Sequence, residues 1–524
     1  MPEKKIYKVL IFLIGISAIV RAFLAWALEL GNDEVYYWTY ALYSDLSHFD
    51  HPPMVGFVIQ LFSLDLLLDD ELFVRFSSVI LGSVNTWIIF LIGKKIKDSL
   101  TGLYAAFLYT SSIYCFVIAG IFILPDTPQL FFWLLSLYFI TGSLLDREYN
   151  TKSKLNLVLT GLFLGLGMLS KYTTVFLWFG IISYILIYDR KWLRTKSLYL
   201  SAFLTLAVFS PVIWWNIQNN FISITFQGGR VDVLGSRLRF DYFLLEIIGE
   251  FLYNNPVNVI IIILSLFGVY KKRIFLAKPD LRFLLFSSLP LIIIFIVFSL
   301  FRRTLPHWTA PGYTTLLLIA AAFLREKSLR KKSQKLIPHE IKTAIYLLSF
   351  ILIIGFIQVN FGIINFYDPQ KTNPAELGEK DVSLDIFGWR QIGDGFSEIL
   401  KKDIKENKIG KEPAIITYRW FPAANLDYYA ARQNFIKVLA IGPLYQIHKY
   451  YWINQKRGGF RLGMDAYYIT TSRDFMHPDS VYSHYFESIE TVDTIKIMRG
   501  NTHVMNAFVY RMKDLKILPK CSIN

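Results

Sequence analysis

The residues best suited to chemistry are acids and bases gathered where apolar stretches end. The segment from Glu29 to Leu72 holds no Lys or Arg but nine acids: Glu29, Asp33, Glu34, Asp45, Asp50, Asp65, Asp69, Asp70 and Glu71. A connection this long and this acidic does more than join two elements. After Asn32 and Asp33, either able to cap a helix, Val35, Trp38 and Leu42 recur on one face with Tyr36, Tyr40 and Tyr43 beside it. That is the pattern of an aromatic helix lying in a membrane interface. Asp33 is expected where such a helix meets the membrane surface, either as a proton acceptor or as a plain N-cap. A second acid, Asp126, stands in Pro125-Asp126-Thr127-Pro128 at the mouth of an apolar stretch, where the prolines hold it stiffly. It could equally begin the helix that Pro128 opens.

The outer ends of other apolar stretches carry Lys171, Arg230, Arg237, Arg239, Arg302 and Arg303, with His307 close by. Cations kept at an outer membrane surface fit an anionic partner such as a phosphate. The plainer alternatives are snorkelling from a span end for Lys171 and contact with lipid headgroups for Arg302 and Arg303. His307 alone is more often structural than catalytic.

The elements that must position these groups are membrane spans. Of 524 residues 54% are hydrophobic and only 18% charged, and the mean hydropathy is +0.40. Such a surplus has to face lipid. Eleven apolar stretches have spanning character: Ile6–Leu28, Phe73–Gly93, Leu100–Ala119, Pro128–Leu145, Leu155–Ser170, Tyr172–Tyr188, Leu198–Trp215, Val257–Tyr270, Phe283–Phe301, Ala310–Leu324 and Thr343–Phe366. Leu155–Ser170 and Tyr172–Tyr188 read as two short helices or one long kinked one. With the N-terminus inside, the inner segments hold 25 Lys and Arg against 6 in the outer connections, a bias that sets the orientation. An odd number of spans then puts the tail outside.

From Tyr367 to Asn524 charges return, and runs such as Ala414–Tyr418 and Ala466–Thr471 alternate with helical patterns such as Gly395–Ile404. The expected architecture is a polytopic α-helical transmembrane domain over residues 1–366 followed by an extracytoplasmic α/β domain over 367–524. The formal charge of +15 comes from loops between spans, so it speaks for orientation and against a nucleic-acid partner. The two cysteines, Cys115 and Cys521, form no disulfide framework and show no metal-ligand spacing. The first apolar stretch has no small-residue cleavage site after it and reads as an uncleaved span.

Several segments, in order, resemble one family. They are Asn32-Asp33-Glu34-Val35-Tyr36-Tyr37-Trp38, Phe49-Asp50-His51-Pro52-Pro53, Pro125-Asp126-Thr127-Pro128, Gly165-Leu166-Gly167-Met168-Leu169-Ser170-Lys171-Tyr172-Thr173, Ser210-Pro211-Val212-Ile213-Trp214-Trp215-Asn216, Phe226-Gln227-Gly228-Gly229-Arg230 and Pro306-His307-Trp308. Together they resemble the bacterial GT-C glycosyltransferases of the protein O-mannosyltransferase-like group, glycosyltransferase family 39. That group includes aminoarabinose and galacturonic acid transferases acting on lipid A. The resemblance implies a polyprenyl-phosphate-sugar donor, inversion at the anomeric carbon, and an outward-facing cavity in the cytoplasmic (inner) membrane. By resemblance Asp33 matches the catalytic first-loop acid, with Glu34 beside it, and Asp126 a second acid near the reaction centre. Asp50, His51, Tyr172 and His307 fall at cavity-lining positions, while Lys171, Arg230 and Arg303 match cations that approach the donor phosphate. Some relatives bind a divalent ion near the first-loop acids, and Asp50 with His51 could do so, but two ligands do not define a metal site. No other cofactor is implied.

A sugar 1-phosphate breaks through an oxocarbenium-like transition state, so a site must neutralise the departing phosphate and, for a hydroxyl acceptor, remove a proton. Cations meet the first need and Asp33 the second. The resemblance implies a glycolipid such as lipid A or a protein hydroxyl as acceptor. If the acceptor is itself a phosphate, no strong base is required, and Asp33 would instead orient it or stabilise positive charge on the sugar. The sequence does not choose between these. The alternative readings are a transporter or flippase of a lipid-linked saccharide and an envelope assembly protein. A transporter would place ionisable groups at mid-membrane in paired, interrupted halves. Here only Arg21 lies inside a span in that way.

Overall fold

The computed structural model describes all residues except 1, 146–148, 234, 236, 333–334, 365, 367–372, 411 and 520–524. Cys521 and the expected start of the tail domain at Tyr367 lie outside the described residues. The chain divides into two compact units, one formed by Met1–Ala25 with Ser44–Ile351, the other by Trp26–Tyr43 with Leu352–Asn524.

Each of the eleven apolar stretches has an α-helix as its main part. The helices run Glu3–Ala27, Phe76–Ile96, Ser99–Ser111, Asp126–Leu144, Thr151–Met168, Val175–Tyr188, Lys196–Gln218, Pro256–Tyr270, Lys278–Ser299, Ala310–Arg330 and His339–Phe361. Among the described residues five of these are long and apolar enough to cross a membrane by themselves: Glu3–Ala27, Phe76–Ile96, Lys196–Gln218, Lys278–Ser299 and His339–Phe361. A sixth span results if Phe240–Tyr253 and Pro256–Tyr270, which meet at a bend of 100°, count as one. Helices enclosed by others need no continuous apolar surface. Ala310–Arg330, for example, buries the small residues Ala320, Ala321 and Ala322 in the bundle.

Small residues set how closely the helices approach. A Cβ added at Gly102 would lie 2.3 Å from the Phe90 carbonyl oxygen, and one at Gly161 would lie 2.1 Å from that of Ser201. At the second crossing Ser201 Oγ donates to the Leu157 carbonyl at 2.7 Å and Thr205 Oγ1 donates to the Gly161 carbonyl at 2.7 Å. Side-chain hydroxyls thereby tie two helices that dispersion forces alone would hold.

Three interruptions re-aim the chain. The stretch expected as one span over Leu100–Ala119 ends as an α-helix at Ser111, and Tyr114–Ile118 follow as a π-helix. Ser111 and Ser112 favour a break because their hydroxyls compete for backbone partners. The stretches on either side of Lys171 form two helices, and at Lys171 the backbone is extended, with φ −157°. The third break is the sharp bend at Asn255, whose amide donates to the carbonyls of Ser111 and Ala344 and whose Oδ1 accepts from Val257 N. Pro256 then starts the next helix at the position where its missing N–H costs nothing.

The second unit carries a five-stranded sheet. Its strands are β1 (Ala414–Thr417), β2 (Lys437–Ala440), β3 (Ala466–Thr471), β4 (Phe486–Arg499) and β5 (Thr502–Leu515), in the order β2-β1-β3-β5-β4. The β1 pairings to β2 and β3 are parallel, and β5 runs antiparallel to β3 and β4. β1 and β3 are buried along their whole length, as a parallel pair covered on both faces must be. Helix Trp389–Lys405 buries Trp389, Ile392, Phe396, Ile399 and Leu400, residues spaced three and four apart.

Helix Asn32–Leu42 belongs to this second unit. The reading of it as an interfacial aromatic helix is corrected: residues 34–41 are buried on every side. Its rings pack on protein, with Tyr36 4.9 Å from Trp420 and Trp38 edge-on to Tyr428 at 5.2 Å. An aromatic stripe alone does not distinguish lipid from a partner in the same fold.

Candidate active site

The helix break at Lys171 has a direct electrostatic consequence. Extended backbone there lets the ammonium reach across to Asp126, the first residue of helix Asp126–Leu144, and Nζ donates to both carboxylate oxygens at 3.0 and 2.9 Å. The π-helix turns Tyr114 to the same acid, its hydroxyl donating to Oδ1 at 3.1 Å. Both charged side chains are almost fully buried. Burying such a pair is tolerable only because each lone pair and proton finds a partner. Both Asp126 oxygens are thus taken up by Lys171, and Oδ1 by Tyr114 as well.

Beside this pair lies a cavity of about 280 Å³. Its lining includes the apolar and aromatic residues Val175, Phe176, Val231, Phe295, Phe298 and Trp308. It also includes His51, Lys171, Tyr172, Gln227 and Arg230. The Arg230 guanidinium stacks 4.7 Å from the Trp308 ring centre, which orients its donors. Tyr172 shares a hydrogen bond of 2.7 Å with Ser223, and Gln227 donates to the Asp50 carbonyl, which ties the connection before His51 to the segment that holds Arg230.

His51 and His307 lie in connections between spans, and both imidazoles are pushed down to about 4. Burial is the main cause for each. Lys171 and Arg230 depress them further, while Asp50 for His51 and Asp126 for both act in the opposite direction. Both rings are neutral at pH 7, so the fixed positive charge at the cavity resides on Lys171 and Arg230.

Of the residues singled out in the sequence, the bundle brings His51, Lys171, Tyr172 and Arg230 to one cavity, with Asp126 paired to Lys171. Asp50 is buried beside His51. Arg303 is exposed and does not line the cavity, and Arg302 donates to the Asp232 carbonyl at 2.6 Å. Arg21 is buried with its guanidinium 4.5 Å from the Phe116 ring centre, a contact within the helix packing. Tyr114, which the sequence reading passed over, lies in an apolar run where nothing but the nearby serines marks a break.

Asp33 and Glu34 belong to the other unit. The helix there is capped at Gly31, whose N–H donates to Glu34 Oε2 at 2.9 Å while Glu34 N donates back to the Gly31 carbonyl at 3.0 Å. The acid three residues into the helix does the capping. Asp33 is released from that duty, and its side chain is exposed. Among the described residues no three His, Cys, Asp or Glu side chains gather as a metal site. Asp50 and His51 offer two ligand groups only.

Comparison with known proteins gives this arrangement a context. Residues 50–215 match the family described as dolichyl-phosphate-mannose-protein mannosyltransferase. Similar in structure is ArnT from Cupriavidus metallidurans in the apo state, with a TM-score of 0.64 and 14% identity over 96% of this chain and 98% of that one. The chain has the fold of this ArnT. The same ArnT bound to undecaprenyl phosphate aligns with a TM-score of 0.61 and 14% identity over 95% of this chain and 97% of that one. An uncharacterized protein of Aquifex aeolicus (strain VF5) is 26% identical over 300 residues, 55% of this chain. The chain spans about half the length of that curated relative, 56%. The family match covers Asp50, His51, Asp126, Lys171 and Tyr172, while Asp33, Arg230 and His307 lie outside it.

Proposed function

We propose that the chain is an inverting glycosyltransferase that moves a sugar from a polyprenyl-phosphate carrier to a glycolipid or protein hydroxyl on the outer face of the cytoplasmic membrane. The observation that carries the proposal is the mixed lining of the cavity. An isoprenoid phosphate is an amphiphile, and a cavity lined by Phe176, Phe295, Phe298 and Trp308 together with Lys171 and Arg230 matches both of its parts. That the ArnT of similar fold has been seen with undecaprenyl phosphate supports the same reading.

In the reaction the acceptor oxygen bonds to the anomeric carbon while the bond from that carbon to the phosphate oxygen breaks, its electron pair leaving with the phosphate. The acceptor proton passes to a carboxylate, the part assigned to Asp33 from the family resemblance. Lys171 and Arg230 stabilise the charge gathering on the departing phosphate. Asp126 holds the Lys171 ammonium in place, and its own oxygens are already engaged. Tyr172, Gln227 and neutral His51 line the cavity beside Lys171 and Arg230 without adding charge.

The test is mass spectrometry of lipid A, other envelope lipids and envelope proteins from cells with and without the chain. A mass increment of one sugar that needs the wild-type chain, and disappears with Asp33→Asn, is the expected result. Identical envelopes, together with a purified chain that does not bind undecaprenyl phosphate, would sink the proposal.

A further inference from the structure

The segment that carries Asp33 leaves the helical unit at Ala25 and rejoins it at Ser44, and between those points it is built into the C-terminal unit. Hydrogen bonds fix both of its ends. At the start, Trp389 N donates to Glu29 Oε2 at 2.7 Å, and Leu30 N donates to the Tyr429 hydroxyl at 2.6 Å. The Asn32 side chain is held from two sides. Its Nδ2 donates to Asp385 Oδ1 at 3.3 Å, and its Oδ1 accepts from Asn425 Nδ2 at 3.0 Å. At the far end, Lys449 Nζ donates to the Tyr43 carbonyl at 2.6 Å, and Arg457 Nε donates to the Tyr43 hydroxyl at 2.9 Å. Arg457 is fixed in turn by its ion pair with Asp427 at 2.8 Å. Between these ends, residues 34–41 are all buried, whereas Asp33 is exposed.

We infer that the C-terminal unit is a positioning clamp for Asp33, with Asn425 and Asp385 as its decisive residues. The inference rests on the assignment of Asp33 as the proton-accepting carboxylate. Asn425 and Asp385 grip the residue immediately before Asp33, so they set the rotation of the helix start and the direction in which the next side chain leaves it. Neither residue touches substrate in this scheme; both act through Asn32. Rotation of the helix start by a fraction of a turn displaces a carboxylate by more than 1 Å, and misplacement on that scale costs on the order of 100-fold in rate.

The test uses the full-length chain and two readouts. Hydrogen exchange of the peptide covering residues 30–37 reports the clamp, and the one-sugar mass increment on the envelope reports chemistry. The double variant Asn425→Ala with Asp385→Ala is expected to speed exchange in residues 30–37 by about 10-fold or more while peptides around Asp126 and Lys171 stay at wild-type protection. Product should fall by about 10- to 100-fold with binding of undecaprenyl phosphate unchanged. A polarity swap separates positioning from mere folding. Asn425→Asp alone sets carboxylates on both sides of the Asn32 amide, and adding Asp385→Asn restores one donor and one acceptor once that amide turns over. Product should fall in the single variant and recover in the swap. Wild-type exchange and product in the double alanine variant overturn the inference, as does lost product with unchanged exchange at residues 30–37. Full product from Asp33→Asn with altered exchange would instead reject the assignment of Asp33, so the two failures can be told apart.

Discussion

The two acids marked out by the sequence, Asp126 and Asp33, are held in contrasting ways. Asp126 is buried in the helical unit, with both oxygens taken up by Lys171 and one also by Tyr114. Asp33 stands exposed at the start of a helix whose next eight residues are all buried. A carboxylate already saturated by an ammonium and a phenol is a poor proton acceptor, because taking a proton means surrendering the ion pair. Asp33 instead lies in the first turn of a helix whose capping is done by Glu34 and whose following residues are held by burial. The contrast fits the proposed roles, binding support for the first and chemistry for the second.

The largest effect that could break this contrast is on product formation. Asp33→Asn should lower transfer by roughly 100- to 10,000-fold, the usual range for loss of a general base, while leaving undecaprenyl phosphate binding intact. Asp126→Asn should do the reverse, weakening binding more than the chemical step, because Lys171 loses its anchor. Equal losses in both readouts for both variants would dissolve the distinction.

Stability sharpens it next. Asp126→Ala strands a buried ammonium and Lys171→Ala strands a buried carboxylate, and each should cost about 3–5 kcal/mol. The double variant Asp126→Asn with Lys171→Met removes the charges together and should be more stable than either single alanine variant. Thermal unfolding of the purified chain measures all three. If Asp126→Ala with Lys171→Ala cost the sum of the two single alanine variants, the two side chains would not be coupled.

A smaller effect comes from His51 and His307. Their folded-state values of about 4 lie below the ordinary value of 6.5, so the unfolded chain binds more protons between those limits. Their contribution to stability is complete above about pH 6.5 and is lost as the pH falls through about 4. Melting temperature should decline across that window, and His51→Gln with His307→Gln should flatten the decline. Binding of undecaprenyl phosphate between pH 7 and 8 should not respond to either ring, since both are already neutral there.

Much of the helical unit is legible in the sequence because membrane helices announce themselves locally, through runs of apolar residues and basic loops. The cavity residues were legible for a related reason: Lys171 and Arg230 defy the charge bias of the outer loops, and Asp126 stands between prolines. Tyr114 was not, since a tyrosine in an apolar run looks like core. Helix Phe240–Tyr253 was not read either. It buries Glu246 and Glu250 against Thr304 and Tyr313, partners more than fifty residues away that no local pattern reveals. The association of residues 26–43 with the C-terminal unit is the extreme case. Its hydrogen bonds join residues 353 to 414 positions apart, and the aromatic stripe that makes them possible reads locally as a membrane surface helix.

Arg303 gives the smallest effect and the finest check on the cavity. The resemblance grouped it with the phosphate-binding cations, yet it is exposed and lies outside the cavity lining, whereas Arg230 is stacked on Trp308 within it. An exposed cation is solvated and screened, and its pull on an anion falls off over a Debye length of about 8 Å at physiological salt. A stacked guanidinium in a partly dry wall keeps far more of its attraction. Arg303→Ala should therefore change undecaprenyl phosphate affinity by less than about 3-fold, within the scatter of ordinary surface substitutions. Arg230→Ala should weaken it by about 10- to 100-fold, the loss of a charge-assisted hydrogen bond. If the two variants proved equal, the phosphate would have to bind where both arginines reach it, and the cavity would not be its seat.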